Sequence, residues 1–441
     1  MTVDEPALAR MRAAVPPNVR TVCETLAQAG HQAVTVGGAV RDALLGRTPG
    51  DWDVATAARP EQVMALFKRT VPTGLQHGTV TIVTGRGEES HVEVTTFRGE
   101  GAYTDARRPD HVTFGVPLVE DLARRDLRVN AMAYDPAADQ LVDPFGGRQD
   151  IADRMLRAVG PTGDIYADAV ARFSEDGLRV MRAVRFAAVL EFALDPDTER
   201  GIGPALPSLA KVSRERVSDE LRKILATREP SRALAIAERC GILALVMPGL
   251  VTGLEAWAAI RGDRAAAVAS WLSRIDATPP AVRLAALACE LARPVASPRL
   301  DRDTVKRAQG VLRDLKFAND ELAGAAVLVG SAGATRVAQW TDAAVRRLLA
   351  DVTRPHAAAA VALWRAEGAT QLADRATAIL ERNDALAAAE LAVTGSDLIT
   401  ELALAPGPVV GKLIARLVDR VLEDPAVNTR DQLFAIAREP A

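Results

Sequence analysis

Asp51 and Asp53 are the residues of this chain whose type and spacing point most directly to chemistry. They lie in the run Asp51-Trp52-Asp53-Val54-Ala55, which reads as a short strand. Residues two apart on a strand face the same way. Two such carboxylates can share divalent cations, and a hard ion such as Mg2+ takes oxygen ligands. Glu93 sits in a second strand-like run, residues 91–97, that alternates with period two. If the two strands are neighbours, Glu93 completes an acidic cluster. A lone Asp-x-Asp is more often a turn at a strand end, so the weighing depends on what stands upstream. Gly37-Gly38 follows the apolar run Ala33-Val34-Thr35-Val36 and opens a helical stretch. Two glycines permit a tight turn and a close backbone approach to phosphate. The helix start offers unpaired N–H groups and a positive dipole end. Arg41, one turn in, could reach a triphosphate. A phosphate grip and a metal site would then stand side by side.

The elements expected to hold these residues form a mixed head. Residues 7–29 read as a helix interrupted at Pro16-Pro17, and strands are expected near 33–36, 51–55, 79–83 and 91–97. Helices are expected over 60–69 and 119–133, a polar loop over 98–113, and a last short strand at 141–143. Beyond about residue 150 no convincing strand remains; helical patterns run from 170–192 through 370–390 to 409–423. The expected fold class is α+β, a small mixed sheet with helices followed by an all-α remainder. The expected divisions are 1–155, 156–230 and 231–441.

Bulk properties narrow the function classes. A length of 441 residues implies more than one domain. The net charge of −3 argues against a broad non-specific RNA surface and leaves room for a local basic stripe. Cys23, Cys240 and Cys289 are far apart and form no CxxC pair, which reads as three buried thiols in a reducing compartment. The five histidines show no HxxxH or HD pair, so a zinc site is not expected. No apolar run precedes residue 30; no signal peptide or membrane span is expected, and the location expected is cytoplasmic.

Five motifs in order resemble those of the bacterial tRNA CCA-adding and poly(A) polymerase family, within the polymerase-β-type nucleotidyltransferases. The first is Gly37-Gly38-Ala39-Val40-Arg41-Asp42 with Asp51-Trp52-Asp53. Arg124 to Ala133, in the sequence RRDLRVNAMA, is similar to the second, and Asp143-Pro144-Phe145-Gly146-Gly147 to the third. Glu175 to Phe186, EDGLRVMRAVRF, resembles the nucleotide-reading helix, and Arg214-Glu215-Arg216-Val217 the last. The resemblance implies a polymerase-β-type nucleotidyltransferase head followed by an all-α neck, body and tail. It implies that Gly37, Gly38, Arg41 and Arg125 grip the nucleotide, that Arg182 and Arg185 assist, and that Asp51 and Asp53 hold two Mg2+ ions. Asn130 is expected to fix backbone near the site, and Asp143 to cap the Gly146-Gly147 turn.

The reading pair has its own physical argument. Asp176 and Arg179 are three apart, hence neighbours on a helix. A carboxylate only accepts hydrogen bonds and a guanidinium only donates. Cytosine and adenine each present an amine donor beside a ring-nitrogen acceptor; uracil and guanine present the reverse. One Asp/Arg pair can therefore admit C and A without a template. The bland alternative is a solvated face with i,i+3 ion pairs. The implied reaction is attack of an RNA 3′ hydroxyl on the α-phosphate of CTP or ATP, with tRNA as the RNA partner. RNA contact is expected from Lys306, Arg307, Arg313 and Lys316, with Arg299 and Arg302, and from Lys211, Arg214, Arg216, Arg222 and Lys223; interleaved acids make solvated faces an equal reading for the first group.

Three departures from the family pattern stand out. Gly177 occupies a position that is usually proline, so a softer helix start is expected. Residues 161–170 and the first 30 residues look like additions. Gly74-Leu75-Gln76-His77-Gly78 replaces an Arg-Arg-Phe type segment of poly(A) polymerases, and no basic tail follows. The loop Arg98 to Pro109, with Tyr103-Thr104-Asp105 and Arg107-Arg108, looks intact. These features favour full CCA addition to tRNA; the alternatives are a poly(A) polymerase or a partial, CC- or A-adding enzyme.

Overall fold

A computed structural model of the chain describes residues 5–87, 90–100, 112–292, 294 and 296–439. From residue 101 onward, the loop read as Arg98 to Pro109 lies outside the described residues, with Tyr103, Thr104, Asp105, Arg107 and Arg108. The chain forms two compact units. One comprises Met1–Ile224 and Arg232–Val246, the other Leu225–Ser231 and Met247–Ala441.

The first unit is built on β-strands β1 (Ala33–Val36), β2 (Asp53–Thr56), β3 (Thr70–Gly74), β4 (Thr79–Val83), β5 (His91–Thr96), β6 (Arg98–Glu100), β7 (Val112–Phe114), β8 (Ala133–Asp135) and β9 (Gln140–Val142). Seven of them make a mixed sheet in the order β3-β4-β5-β2-β1-β8-β9, and β6 pairs with β7. β2 runs antiparallel to β1 and parallel to β5. Its helices include α1 (Glu5–Ala14), α2 (Pro17–Gln28), α3 (Gly38–Leu44), α4 (Pro60–Leu66), α5 (Leu118–Ala123), α6 (Gly147–Asp153), α7 (Ile165–Glu175), α8 (Leu178–Leu190), α9 (Pro196–Arg200), α10 (Ile202–Leu209) and α11 (Arg214–Leu225).

Period-two alternation gives the sheet two apolar faces. Val54, Val80, Ile82, Val92 and Val94 pack with Val22 and Leu26 of α2 and Val40 of α3. Val34, Val36 and Ala55 pack with Leu118 and Leu122 of α5. Asp53 shares the parity of Ala55, and Glu93 that of Thr95, so both carboxylates face the α5 side at the end of the sheet.

Within the second unit the regular elements of the described residues are helices, from Pro248–Arg261 to Arg430–Arg438. Buried Arg283 donates to the carbonyls of Leu225, Thr227, Arg228 and Thr278, which fixes the connecting segment of that unit to its body.

Several boundaries differ from the sequence reading. The 7–29 stretch is two helices, because Pro16 holds extended backbone ahead of α2. The 119–133 helix is only α5; Arg128–Asn130 is a single 3-10 turn and Ala133 begins β8. The apolar run Val129 to Ala133 is fully buried, and such runs read alike for buried helix and strand. The helix expected over 370–390 stops at Glu381. Strand β3 has no counterpart in the sequence reading, since its central residues are exposed at the sheet edge. A two-residue parallel pair, Met155–Leu156 with Ala193–Leu194, lies beyond residue 150, where the sequence reading expects no strand. Cys23 and Cys289 are buried thiols, whereas Cys240 is half-buried.

Candidate active site

Glycine 37 sets the geometry of the site. It carries φ 77° and ψ −133° at the start of α3, a conformation open to glycine and strained for other residues. A Cβ there would lie 2.7 Å from Nη1 of Arg125, so the missing side chain also makes room for that guanidinium. Asp121 on α5 is almost fully buried; its Oδ1 accepts from the Arg98 N–H and from Nε of Arg124. Its Oδ2 stands 3.9 Å from Arg125. Burial pushes the Arg125 pKa down, opposed by Asp121 and Asp53.

The register places Asp53 directly opposite Glu93 on β5 and opposite Val36 on β1. Asp53 keeps solvent access at the mouth of the cleft. The surrounding protein still raises its pKa by desolvation; Arg125 opposes this and Asp51 adds to it. Asp51 lies just outside β2.

A cavity of about 540 Å³ gathers most of the proposed residues. Its lining includes Gly37, Gly38, Arg41, Asp53, Glu93 and Arg125 from the sheet side, and Asp176, Arg179 and Arg182 from the α7–α8 side. Asp51 is absent from this lining. It lies on an adjoining cavity to which Asp53 and Glu93 also contribute. Arg185 lines neither; its Nε binds Glu220 at 2.6 Å, and its guanidinium covers Phe186 at 4.3 Å.

The reading pair is built differently from a pair on one helix. Asp176 caps the end of α7, outside α8. Its carboxylate accepts from the Leu178 N–H and, across 40 positions of sequence, from Arg216 at 2.9 Å. Arg179 instead binds Glu175 at 2.5 Å and the Arg172 carbonyl at 3.1 Å. Each member of the pair is thus held by a partner other than its mate. Gly177 between them has ordinary helical angles, φ −56° and ψ −22°. A Cβ there would lie 2.2 Å from the Leu209 backbone nitrogen. Glycine at this position therefore serves the close approach of α10, and the expected softer helix start does not follow.

Sequence reasoning missed Glu175, Arg216 and Asp121 as fixing groups, and Phe186, whose ring lies under Arg41, Arg182 and Arg185 at 5.2, 5.5 and 4.3 Å. From sequence, Arg216 falls among the basic residues expected to meet RNA. Of that group, Arg214 binds the Val246 carbonyl, Arg222 binds Asp219 and Lys223 binds Glu220. Asp126 is buried and binds Arg182 at 2.6 Å. Burial works against its charge, but Arg182, Asn130 and Arg179 together hold its pKa well below the usual carboxylate range. Asn130 bridges Asp126 and Arg41, fixing side chains rather than backbone. Asp143 does cap the glycine turn, accepting from the N–H groups of Gly147 and Arg148.

In the second unit, Arg302, Lys306, Arg313 and Lys316 are exposed on or just after the helix Arg302–Asp314. Lys306 pairs loosely with Asp303, at 3.7 Å. Arg307 is turned to the Ala292 carbonyl and Thr304.

The donor set at Asp51 and Asp53 fits a divalent cation. Both are oxygen ligands, and desolvation, with the Asp51 charge nearby, raises the pKa of Asp53, a cost that a bound cation would offset. Among the described residues no group of three or more His, Cys, Asp and Glu could hold a metal by itself. Glu93 therefore does not complete the three-carboxylate cluster that the sequence suggests.

Residues 33–157 match the Poly A polymerase head domain. Residues 191–253 match the probable RNA and SrmB-binding site of polymerase A, and 302–437 match tRNA nucleotidyltransferase domain 2. The CCA-adding enzyme of Leuconostoc mesenteroides is 34% identical over 96% of each chain. That of Geobacillus stearothermophilus is 48% identical over 229 residues, which span 52% of this chain and 54% of the relative. The crystal structure of the Bacillus stearothermophilus CCA-adding enzyme in complex with CTP superposes with a TM-score of 0.73 at 32% identity. That match covers 96% of this chain and 97% of the other.

Proposed function

The chain belongs to the family of CCA-adding enzymes, and from that premise we propose that it adds C, C and A to the 3′ ends of tRNAs lacking them. CTP and ATP are the substrates, and no nucleic-acid template is used. One observation carries the reading: a single cavity has an acidic strand edge, Asp53 and Glu93, on one side and a fixed Asp176/Arg179 wall on the other.

In this reading the tRNA 3′ oxygen attacks the α-phosphate. The new O–P bond forms as the bridge to the β-phosphate breaks; pyrophosphate leaves and the hydroxyl proton passes to solvent. Mg2+ held by Asp51 and Asp53 would supply charge neutralisation and a more acidic hydroxyl. Gly37 and Gly38 let the triphosphate approach the backbone, and Arg125 meets its charge or the sugar. Asp176, held by Arg216, accepts from the exocyclic amine of C or A; Arg179, held by Glu175, donates to the ring nitrogen. Arg182 and Arg41 line the pocket, and Arg185 supports it through Phe186. Catalysis is then positioning and charge stabilisation.

The proposed division is a head to residue 155, a neck to 230, and a body and tail beyond. Lys306, Arg307, Arg313 and Lys316 are proposed to meet tRNA phosphates, with Arg307 the least available of the four. Among the described residues no helix is long and apolar enough to cross a membrane, and the proposed location is the cytoplasm.

The test is incubation of a tRNA lacking CCA with CTP and ATP, followed by sequencing of the product end. Addition that stops at CCA supports the reading. Long A tails would assign poly(A) polymerase activity, and a stop after CC would assign partial addition.

A further inference from the structure

Beside the arginine-rich cavity lies a second one of about 950 Å³. Asp53 and Glu93 line both, and Asp51 lines only the second. The two cavities therefore meet at the acidic edge and differ sharply in charge. Arginines supply seven lining residues of the first, while among the described residues no lysine or arginine lines the second. Nucleotidyl transfer needs two reactants to meet at the acids, one carrying a triphosphate and one offering a hydroxyl. The triphosphate suits the arginines. A wall without cations suits an uncharged sugar and base.

The chemistry of that wall agrees. Trp52, half-buried between the two aspartates, offers an indole, and base–aromatic stacking is tolerant of base identity. Asn18 and His91 can each donate and accept hydrogen bonds. The volume lies within the range of small-ligand pockets. A further part of the lining is the elbow between α1 and α2, with Ala14, Pro16 and Asn18. The elbow is fixed in place. Arg12 of α1 binds Asp139 in the β8–β9 turn, which also accepts from the Tyr134 hydroxyl, and Asn18 bonds Thr84 at 3.3 Å.

We infer that the second cavity holds the terminal nucleoside of the acceptor RNA, and that the N-terminal helix pair is one of its walls. The inference rests on the proposed nucleotidyl transfer. It gives the N-terminal helix pair a part in presenting the 3′ hydroxyl to the acids.

The test uses the full-length protein, a tRNA ending in CC, and ATP. Asn18→Trp blocks the pocket at its rim, and His91→Ala removes a polar group from an exposed position; neither residue touches the first cavity. Each variant is expected to lower kcat/KM for the tRNA about three- to tenfold, the scale of one or two missing hydrogen bonds. The KM for ATP is expected to stay at its wild-type value in both variants, and the melting temperature in His91→Ala. Unchanged acceptor kinetics in both variants, or a rise confined to the KM for ATP, overturns the inference. A wild-type protein that adds no A to this tRNA refutes the proposed function itself, which separates the two failures.

Discussion

Replacing Gly37 with alanine is expected to damage stability and nucleotide binding together, and the structure gives the size of both effects. The backbone angles, φ 77° and ψ −133°, place a non-glycine residue in a sparsely populated region at about 1–3 kcal/mol. The new Cβ would stand 2.7 Å from Arg125 Nη1, so the guanidinium must shift, at about 0.5–1.5 kcal/mol if it leaves its rotamer. At about 2–4 °C per kcal/mol for a unit of this size, the melting temperature should fall by several degrees. Moving Arg125 should also remove the charge-assisted hydrogen bond proposed for it to the nucleotide, worth about 1.5–3 kcal/mol, or roughly 10- to 150-fold in kcat/KM. The assay is single-nucleotide incorporation from CTP alongside thermal unfolding. Gly203→Ala is the control: a Cβ there meets nothing within 4 Å, and φ is not positive. It should be neutral or slightly stabilising. A Gly37→Ala protein with wild-type melting and wild-type kcat/KM for CTP would refute the argument about this turn.

Further predictions concern charge. Asp53→Ala should abolish incorporation while leaving tRNA binding intact in a filter assay; residual turnover near wild type would remove the acidic edge from the chemistry. Arg182→Met should flatten part of the acid unfolding profile. Asp126 has a depressed pKa in the folded state, so its pairing contributes stability that is fully present above the ordinary carboxylate range and is lost as pH falls from that range through the depressed value. Removing Arg182 raises that pKa, lowers stability at neutral pH and leaves less to lose in acid; an unchanged pH profile of unfolding would contradict this. Replacing Lys306, Arg313 and Lys316 together with alanine should weaken tRNA binding and reduce the slope of log affinity against log salt by about one for each phosphate no longer neutralised. An unchanged slope would make them an ordinary solvated face.

Much of the head was legible because its signals are local. The strand–glycine–helix order around Gly37 and the period-two run through Glu93 are properties of a few adjacent residues, and both strands stand where the pattern puts them. The register that sets Asp53 against Glu93 follows from sheet order, which no local pattern carries. Partner choice was also hidden. Asp176 is held by Arg216, 40 positions away, and Arg182 by Asp126, 56 positions away. Asp176 and the arginines of α8 look from sequence like a row of i,i+3 pairs, yet their side chains turn to α7, α11 and the Arg124–Asp126 stretch. Gly177 misleads for a similar reason. Its need comes from the backbone of α10, which packs against it from outside its own segment. The helix expected over 119–133 fails because Val129 to Ala133 is buried all round, and burial erases the periodicity that separates helix from strand.

The central claim is that a protein carboxylate stands in for a complementary base. Its most direct test is the ratio of kcat/KM for CTP to that for UTP, measured on a tRNA lacking CCA with Asp176→Ala and with the wild type. The account predicts that the variant loses CTP efficiency by about 10- to 150-fold, the value of a hydrogen bond to a charged group, while UTP changes little, so the two nucleotides converge. A variant that is folded and active, and still prefers CTP over UTP as strongly as the wild type, would contradict it.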